Sequence, residues 1–271
     1  MLGKDLIEHP RMWQLILEVS ASRLSVVAFS SYEDHALIFE SIPLDSAAPT
    51  SLRALEDAVY DNPMLLLDFK RVTVIYDTTR FLPIPHAGTG LAEDLLRRIF
   101  PEDNDYAGEI ITNPLPSLDI AIPFEIPCDI AGFIRRTFHN VMIIHQLMPL
   151  ATYFQAKHPT RRKGKTLVNL NGDRLDIIIL GDTAPLLINS CRFRDPMDAV
   201  YHILASRENL ALPDTEEIMI AGDRATRVAI TPVLRRYVRY VMPAIFPSAM
   251  FRAGKASLAA PFEMILAPLV S

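Results

Sequence analysis

The same succession of three strands, a helix and a fourth strand is predicted twice along this chain. The runs LILEVSASRLSVVAFSS and HALIFESIPL, from Leu15 onward, contain three apolar, β-branched segments separated by short polar turns, as in consecutive antiparallel strands. A helix over PTSLRALEDAVYDN and a strand at residues 71–77 follow. The strands TLVNL, RLDIIIL and APLLINSCRF then begin a second set, followed by a helix over DPMDAVYHILASREN and the strand EEIMIAGD. This repetition predicts a duplicated α/β architecture with mixed sheets.

The length of 271 residues agrees with two domains, because a typical domain holds about 100–150 residues. We expect residues 1–160 to form the first domain and residues 161–271 the second. The first domain contains further predicted helices and strands, with helices at GLAEDLLRRIF, DIAGFIRRTF and HQLMPLATYFQAKH and strands at GEIIT, LDIAIPFEI and VMII. In the second domain, RVAITPVLRRYVRYV is predicted to be a helix.

Composition indicates a folded protein of a reducing compartment. Half of the residues are hydrophobic, which is enough to build a sizeable core. The longest apolar stretch, residues 141–154, is shorter than the roughly 20 residues that a membrane-spanning helix needs, and the charged amino terminus does not resemble a signal peptide. Cys128 and Cys191 have no metal-binding spacing, so we expect free, mostly buried thiols. These observations predict a cytoplasmic protein without a membrane span.

Charge and motif spacing exclude several functions. A net charge of -5 argues against nucleic acid as the main partner, because phosphate backbones are bound chiefly through accumulated Lys and Arg. The basic run RRKGK at residues 161–165 is interpreted as a solvated linker, with an anion-binding patch as the alternative. The GKT sequence at Gly164 is not a phosphate-binding loop, since Pro159 replaces the required glycine and the segment joins a helix to a strand. The histidines show no convincing metal-ligand pattern, so no metal site is predicted.

The Asn171-Gly172 pair lies between two predicted strands. Both residue types accept positive φ, and Asn-Gly is a preferred two-residue loop of type I′ hairpins. Hairpin geometry alone therefore accounts for this pair.

The two strand triplets, each followed by a helix and a strand, resemble the duplicated actin-like ATPase (ribonuclease-H-like) fold. Actin, sugar kinases, Hsp70-type chaperones and bacterial pilus and division proteins share that fold. The segment DIIILGDTAPLLINSCRFRDPMDAVYHIL also resembles a bacterial protein family that is actin-like in structure and has no assigned activity. The resemblance covers nearly the whole chain and implies two similar domains that flank a cleft.

The resemblance assigns seven positions to three nucleotide motifs, and all three motifs depart from the family pattern. In active members, an apolar-Asp-x-Gly hairpin opens each half; its turn amides hold the phosphates and its Asp orients metal-bound water. A third motif, Gly-Gly, lies at the adenosine site. Replacing Asp by Asn removes an interaction of roughly 4 kcal/mol with a unit charge about 4 Å away at an effective dielectric of 20. The equivalent positions here are Glu18 and Ser20 in the first hairpin, Asn169, Asn171 and Gly172 in the second, and Gly222 and Asp223 in the third motif.

These departures predict a non-catalytic binding or scaffold protein without a cofactor. Its partner would be a protein or peptide, with the interdomain cleft as one possible place for it. The alternative is an active ATPase or kinase-like phosphotransferase that binds ATP with magnesium and uses Glu18 in place of Asp. A third hypothesis, a nuclease, would require Glu18, Asp173 and Asp176 to converge on one metal site.

Overall fold

The computed structural model describes residues 4–32, 36–101, 108–157, 165–182 and 184–270. The predicted domain boundary and residues 161–164 of the RRKGK segment lie outside this part of the chain. The strands are β1 Gln14–Val19, β2 Arg23–Phe29, β3 Leu37–Pro43, β4 Arg71–Tyr76, β5 Ile84–Pro85, β6 Gly108–Leu115, β7 Ile120–Pro127, β8 Met142–His145, β9 Thr166–Asn171, β10 Arg174–Leu180, β11 Pro185–Arg192, β12 Ile218–Gly222 and β13 Val241–Pro243. The helices are α1 Lys4–Glu8, α2 Ser51–Tyr60, α3 Ala92–Ile99, α4 Cys128–Thr137, α5 Leu147–Lys157, α6 Pro196–Asn209, α7 Arg224–Leu234 and α8 Phe262–Val270.

Two five-stranded sheets have the same topology. Their strand orders are β3-β2-β1-β4-β8 and β11-β10-β9-β12-β13. In each sheet the first three strands in sequence pair antiparallel, and the fourth and fifth join in parallel on the other side. A smaller sheet, β5-β7-β6, adjoins the first. The predicted duplication of α/β units with mixed sheets is confirmed.

Alternation along the strands directs side chains to two buried faces. In β9, Leu167 packs in the central core while Val168 and Leu170 pack in the core beneath α6 and α7. In β1, Leu15 and Leu17 likewise belong to the central core. Because both faces of each sheet are covered, β1 and β9 are buried over almost their whole length.

Helices α5 and α8 contribute to the cores between and around the two sheets. Phe262 of α8 meets Tyr153 of α5 edge to face at 6.0 Å, and both pack at the central core that includes residues of the two sheets. On the face of the first sheet that carries Ile16, α8 contributes Met264 and Ile265 to a separate apolar cluster. The carboxyl-terminal helix therefore packs on the first sheet although it follows the second in sequence.

The helix α6 begins as its sequence indicates. Asp195 is the N-cap, Pro196 is the first helical residue, and Asp195 accepts a hydrogen bond from the Met197 amide at 2.8 Å. The Asp198 carboxylate accepts one in return from the Asp195 amide at 3.0 Å. This reciprocal capping defines the start of the helix that the sequence predicts over DPMDAVYHILASREN.

The predicted end of one helix and the predicted burial of the thiols are wrong. The helix expected through residue 241 ends at Leu234, and Val241–Pro243 form an edge strand instead. The edge position is open to Pro243 because an edge strand can leave one side of its backbone unpaired. Cys128 is exposed and Cys191 is half-buried, so the thiols are free but are not mostly buried.

Candidate functional site

The turns of the two leading hairpins lie at equivalent places. In the first, the Ser20 amide and hydroxyl donate to the Arg23 carbonyl oxygen at 3.1 and 3.0 Å. In the second, Asn171 pairs with Arg174, so the loop residues are Gly172 and Asp173. Gly172 has a φ of 61°, and Asp173 is not among the described residues with positive φ. This is the pattern of a type II′ turn, and the predicted type I′ turn at Asn171-Gly172 is wrong by one residue.

Strand register relates the polar residues of the two hairpins. Glu18 pairs with Ser25 in the first hairpin, and Asn169 pairs with Asp176 in the second. By the same count, Arg174 in the second hairpin is the counterpart of Arg23. The two halves thus share an arginine at the start of the second strand of the hairpin but place different polar groups at the positions of Glu18 and Ser25.

A buried arginine occupies the space where the two halves meet. Arg174 is the first residue of β10, and its side chain is completely buried. Its Nη1 atom lies 3.0 Å from Glu18 Oε1 and 2.9 Å from Asp77 Oδ2. Its Nε atom lies 3.1 Å from Asp176 Oδ2, and Nη2 forms an ion pair with Glu263 of α8. One guanidinium therefore binds carboxyl groups from both sheets and from the carboxyl-terminal helix.

Two asparagines complete this buried cluster. The Nδ2 atom of Asn171 donates to Glu18 Oε1 at 3.0 Å and to Glu263 Oε1 at 2.7 Å. The Nδ2 atom of Asn169 donates to Asp176 Oδ2 and Glu263 Oε2, both at 3.0 Å. The partners of both asparagines are carboxyl oxygens, which accept hydrogen bonds, so the amide nitrogens face them. The motif positions Glu18, Asn169 and Asn171 thus lie together in the cluster around Arg174.

The rim of the cluster contains further polar contacts between the halves. Arg192 of β11 donates from Nη2 to Asp77 Oδ1 at 2.8 Å, and Arg23 donates to Asn171 Oδ1. Gln146, just after β8, donates to the Thr78 carbonyl oxygen at 2.9 Å and to Ser190 Oγ at 3.4 Å. Hydrogen bonds from the first sheet therefore reach the second at several points around Arg174.

Burial changes the ionisation of the carboxyl groups. Desolvation, followed by the nearby Glu263 carboxylate, raises the pKa of Glu18 to about 8. Desolvation also raises the pKa of Asp176. For Glu263, burial acts to raise the pKa, but Arg174 and several hydrogen bonds outweigh it and lower the pKa. At neutral pH the Glu18 carboxyl therefore retains a proton for most of the time and Glu263 carries negative charge.

His145 lies beside this network as a neutral core residue. Its ring packs against Phe81 and Phe124 with centroid distances of 4.4 and 5.4 Å, and Nε2 lies 3.1 Å from the Thr78 carbonyl oxygen. The Leu147 amide donates to Nδ1 at 3.3 Å, which assigns the proton to Nε2. Burial lowers the pKa of His145 to about 3.

Three of the remaining predicted site residues line a neighbouring cleft. Gly172, Gly222 and Asp223 border a cleft of about 700 Å³, together with Asn171 and parts of both sheets. Gly222 has a φ of 87°, and a Cβ atom there would lie 1.9 Å from the Leu170 carbonyl oxygen. Asp223 caps α7 by accepting from Thr226 N at 2.8 Å. Ser20 lines a different depression of about 470 Å³ on the first sheet.

The carboxyl groups of the cluster around Arg174 do not form a site that fits a hydrated metal ion with a nucleotide. The carboxyl groups that could hold a divalent cation are already bound to a guanidinium, and Glu18 is mainly uncharged at neutral pH. No group of three or more His, Cys, Asp or Glu side chains in the described ranges is arranged to hold a metal ion. The three carboxylates of the nuclease hypothesis do not converge, because Asp173 is largely exposed and pairs with Arg192 instead.

Sequence reasoning missed three members of the cluster. Arg174, Asp77 and Glu263 were not predicted as site residues. Glu263 is the one charged residue of the apolar helix PFEMILAPLV, whereas Arg174 lies between Asp173 and Asp176 and is not an isolated charge. An isolated charge in an apolar segment indicates a buried partner, so this signal could have identified Glu263.

Solved structures with the same fold are known, although no curated protein sequence matches the chain. A crystal structure of a Bacteroides thetaiotaomicron protein with an actin-like ATPase fold and unknown function aligns with a TM-score of 0.76 and 18% identity, covering 89% of this chain and 94% of that one. The PilM-PilN type IV pilus biogenesis complex aligns with a TM-score of 0.55 and 13% identity, covering 96% of this chain and 98% of that one. The chain therefore has the actin-like ATPase fold.

No described helix has both the length and the apolar character to cross a membrane. A profile for a family of proteins of unknown function, DUF3822, matches residues 6–241. Because this match spans most of the chain and the fold agrees with the structural neighbours, the protein belongs to the DUF3822 family.

Proposed function

We propose that this protein is a non-catalytic binding or scaffold protein, in which a buried ion cluster replaces the nucleotide site of an actin-like fold. The observation that carries the proposal is the position of Arg174. Its fully buried guanidinium lies between the two hairpins and contacts Glu18, Asp77, Asp176 and Glu263. The cluster joins the halves directly through side-chain contacts.

The electrostatics of this arrangement oppose the binding of magnesium with ATP. A divalent cation would compete with the Arg174 guanidinium for the same carboxylates. Two unit positive charges about 4 Å apart repel by about 4 kcal/mol at an effective dielectric of 20, and a divalent ion roughly doubles this energy. Releasing Arg174 instead would leave a buried, unpaired guanidinium, which is also unfavourable. Either change would cost more than one or two hydrogen bonds to phosphate could recover.

The second hairpin contributes side chains where a phosphate site needs bare backbone. Asn171 projects into the cluster and donates to Glu18 and Glu263, and Asn169 donates to Asp176 and Glu263. These amides hold the carboxyl groups in place beside Arg174. The residues that interrupt the nucleotide motifs thus have a defined structural role. This role supports the proposal that the cluster stabilises the fold and does not bind a nucleotide.

A binding role has a precedent among proteins of this fold. PilM, whose structure was determined in the PilM-PilN complex of type IV pilus biogenesis, is an actin-like protein with a protein partner. Direct contacts between the two halves would give such a protein a constant shape on which a protein or peptide can dock. The net charge of -5 supports a partner other than nucleic acid.

Calorimetric titration of the purified full chain with ATP, with and without magnesium, tests the proposal. We expect no magnesium-dependent heat of binding at micromolar concentrations and no phosphate release above that of buffer. Micromolar affinity with turnover would overturn it. Turnover that disappears in a Glu18→Gln variant would establish the alternative, an ATPase or phosphotransferase that uses Glu18.

A further inference from the structure

The cleft beside the ion cluster has an unusual concentration of positive charge. It measures about 700 Å³ and is bordered by Arg23 from β2 and by Arg224 and Arg227 from the first turn of α7. A volume of roughly 300–1,000 Å³ is typical of sites for small organic ligands. Residues 224–262 contain seven Lys or Arg residues and no Asp or Glu, although the whole chain has a net charge of -5.

Two of the three arginines have no anionic partner in a hydrogen bond or salt bridge. Within the described part of the chain, the guanidinium groups of Arg224 and Arg227 form neither contact with another side chain. Arg23 of the first sheet donates to Asn171 Oδ1 of the second. A guanidinium presents its donors in a planar fork that matches carboxylate and phosphate oxygens. The arginines can therefore accept a ligand anion without breaking an ion pair.

One carboxylate in the lining, that of Asp223, is already satisfied by its own helix. It accepts from Thr226 N at 2.8 Å and from Thr226 Oγ1 at 2.7 Å. These hydrogen bonds to Thr226 outweigh desolvation, and with a contribution from the nearby Arg227 they lower the pKa of Asp223. The Asp223 charge is thus held at the start of α7, and the lining retains a positive balance.

Part of the lining of the cleft is apolar. It includes Phe39 of β3 and the segment from Leu258 to Pro261 that leads into α8. Leu258 is 75% exposed. Ser25 and Ser41 add hydroxyl groups from the two strands that carry Arg23 and Phe39. Apolar side chains beside three arginines suit a ligand with an apolar body and an anionic end.

We propose that this cleft binds a small organic anion, a phosphate monoester or a carboxylate with an apolar group, without a metal ion. Arg224 and Arg227 bind the anion from α7, Arg23 approaches it from the first sheet, and the apolar group packs on Phe39 and Leu258. This inference rests on the proposed function, because it assigns a ligand to the binding protein. It differs from nucleotide binding in that arginines, and no divalent cation, neutralise the ligand.

Titration of the full chain with phenyl phosphate and with phenylacetate, both in EDTA, tests the site. Benzyl alcohol serves as an uncharged probe and inorganic phosphate as a probe without an apolar group. We expect both aromatic anions to bind more tightly than either control probe. The aromatic anion with the lower Kd shows whether the site prefers phosphate or carboxylate.

Arginine variants locate the binding. Arg227→Gln should weaken binding of the aromatic anions by about tenfold or more, since a charge-assisted hydrogen bond contributes about 1.5–3 kcal/mol. Arg236→Gln makes the same charge change just after the end of α7, outside the residues that line the cleft, and should leave affinity unchanged. Arg224→Gln repeats the test at a second site residue. Circular dichroism confirms that each variant is folded.

Equal binding to the wild-type chain and Arg227→Gln, or no binding of either aromatic anion at millimolar concentrations, would overturn the anion site. That result would leave the proposed non-catalytic function intact. Magnesium-dependent binding and hydrolysis of ATP would instead overturn the proposed function, so the two failures are distinguishable.

Discussion

Arg174 and Glu18 belong to opposite hairpins, and their side chains meet with 3.0 Å between Nη1 and Oε1 in completely buried surroundings. The two residues are 156 positions apart in the sequence. Their contact brings together the two halves of an actin-like fold at the point where the leading hairpins face each other. The stability of the whole molecule should therefore depend on this pair.

Replacing Arg174 by Met should destabilise the protein strongly. The change leaves Glu18, Asp77, Asp176 and Glu263 without their common cation, and loss of one partner from a buried ion pair typically costs about 3–5 kcal/mol. Urea unfolding followed by circular dichroism measures the loss. Arg11→Met is the control, because the Arg11–Asp68 pair is exposed and should contribute less than about 1 kcal/mol. Similar losses in both variants would contradict a central role for Arg174.

Glu18→Gln should remove one contribution to the pH dependence of stability. The pKa of Glu18 is raised from about 4.5 in the unfolded chain to about 8 in the folded one, so the folded state holds the extra proton between these values. Stability from this group is complete below about pH 4.5 and is lost as the pH rises through 8. The unfolding free energy of Glu18→Gln minus that of the wild type should therefore increase with pH, by up to about 1.4 kcal/mol per pH unit.

Comparing the two proteins at each pH removes contributions that they share. His145, with its pKa lowered to about 3, acts in the opposite direction: its stabilisation is complete above about pH 6.5 and is lost as the pH falls. This contribution is common to both proteins and cancels in the difference. A constant difference from pH 5 to pH 8 would show that Glu18 is ionised throughout.

Restoring a carboxylate at position 169 should not restore a nucleotide site. Asn169→Asp replaces an amide donor with a third carboxylate beside Asp176 and Glu263, each of which now accepts from Asn169 at 3.0 Å. We expect a loss of about 2–4 kcal/mol in unfolding free energy and no ATP hydrolysis. Asn189→Asp, on an exposed position of β11, should change stability by less than about 0.5 kcal/mol. An Asn169→Asp protein of unchanged stability that hydrolyses ATP would disprove this interpretation.

Gly222→Ala tests the close approach of two strands at the cleft. Gly222 has a φ of 87°, and the new Cβ atom would lie 1.9 Å from the Leu170 carbonyl oxygen, which belongs to the backbone and cannot rotate away. The substitution should cost more than about 2 kcal/mol of unfolding free energy. Gly90→Ala is the matched control, since nothing lies within 4 Å of its Cβ position. Equal thermal unfolding midpoints for Gly222→Ala and Gly90→Ala would contradict this prediction.

The sequence by itself determined the repeated α/β architecture, because each element depends on a local pattern. Alternating or continuous apolar residues specified β1, β2, β9 and β10, and the capping residues of DPMDAV specified the start of α6. The likeness of the two hairpins also followed, since both sequences have short polar turns between apolar strands. Local pattern failed at β13, where an arginine-rich amphipathic run resembled a continuing helix.

Only the tertiary structure decided what lies between the hairpins. Glu18, Asp77, Arg174 and Glu263 are distant in sequence, and no local spacing relates them. Parallel pairing of β4 with β1 brings Asp77 beside Glu18, and packing of α8 on the first sheet brings Glu263 to the same point. Burial then makes a charged group depend on its partners for stability, so the chemistry of Glu18 became apparent only when Arg174 and Glu263 were placed beside it.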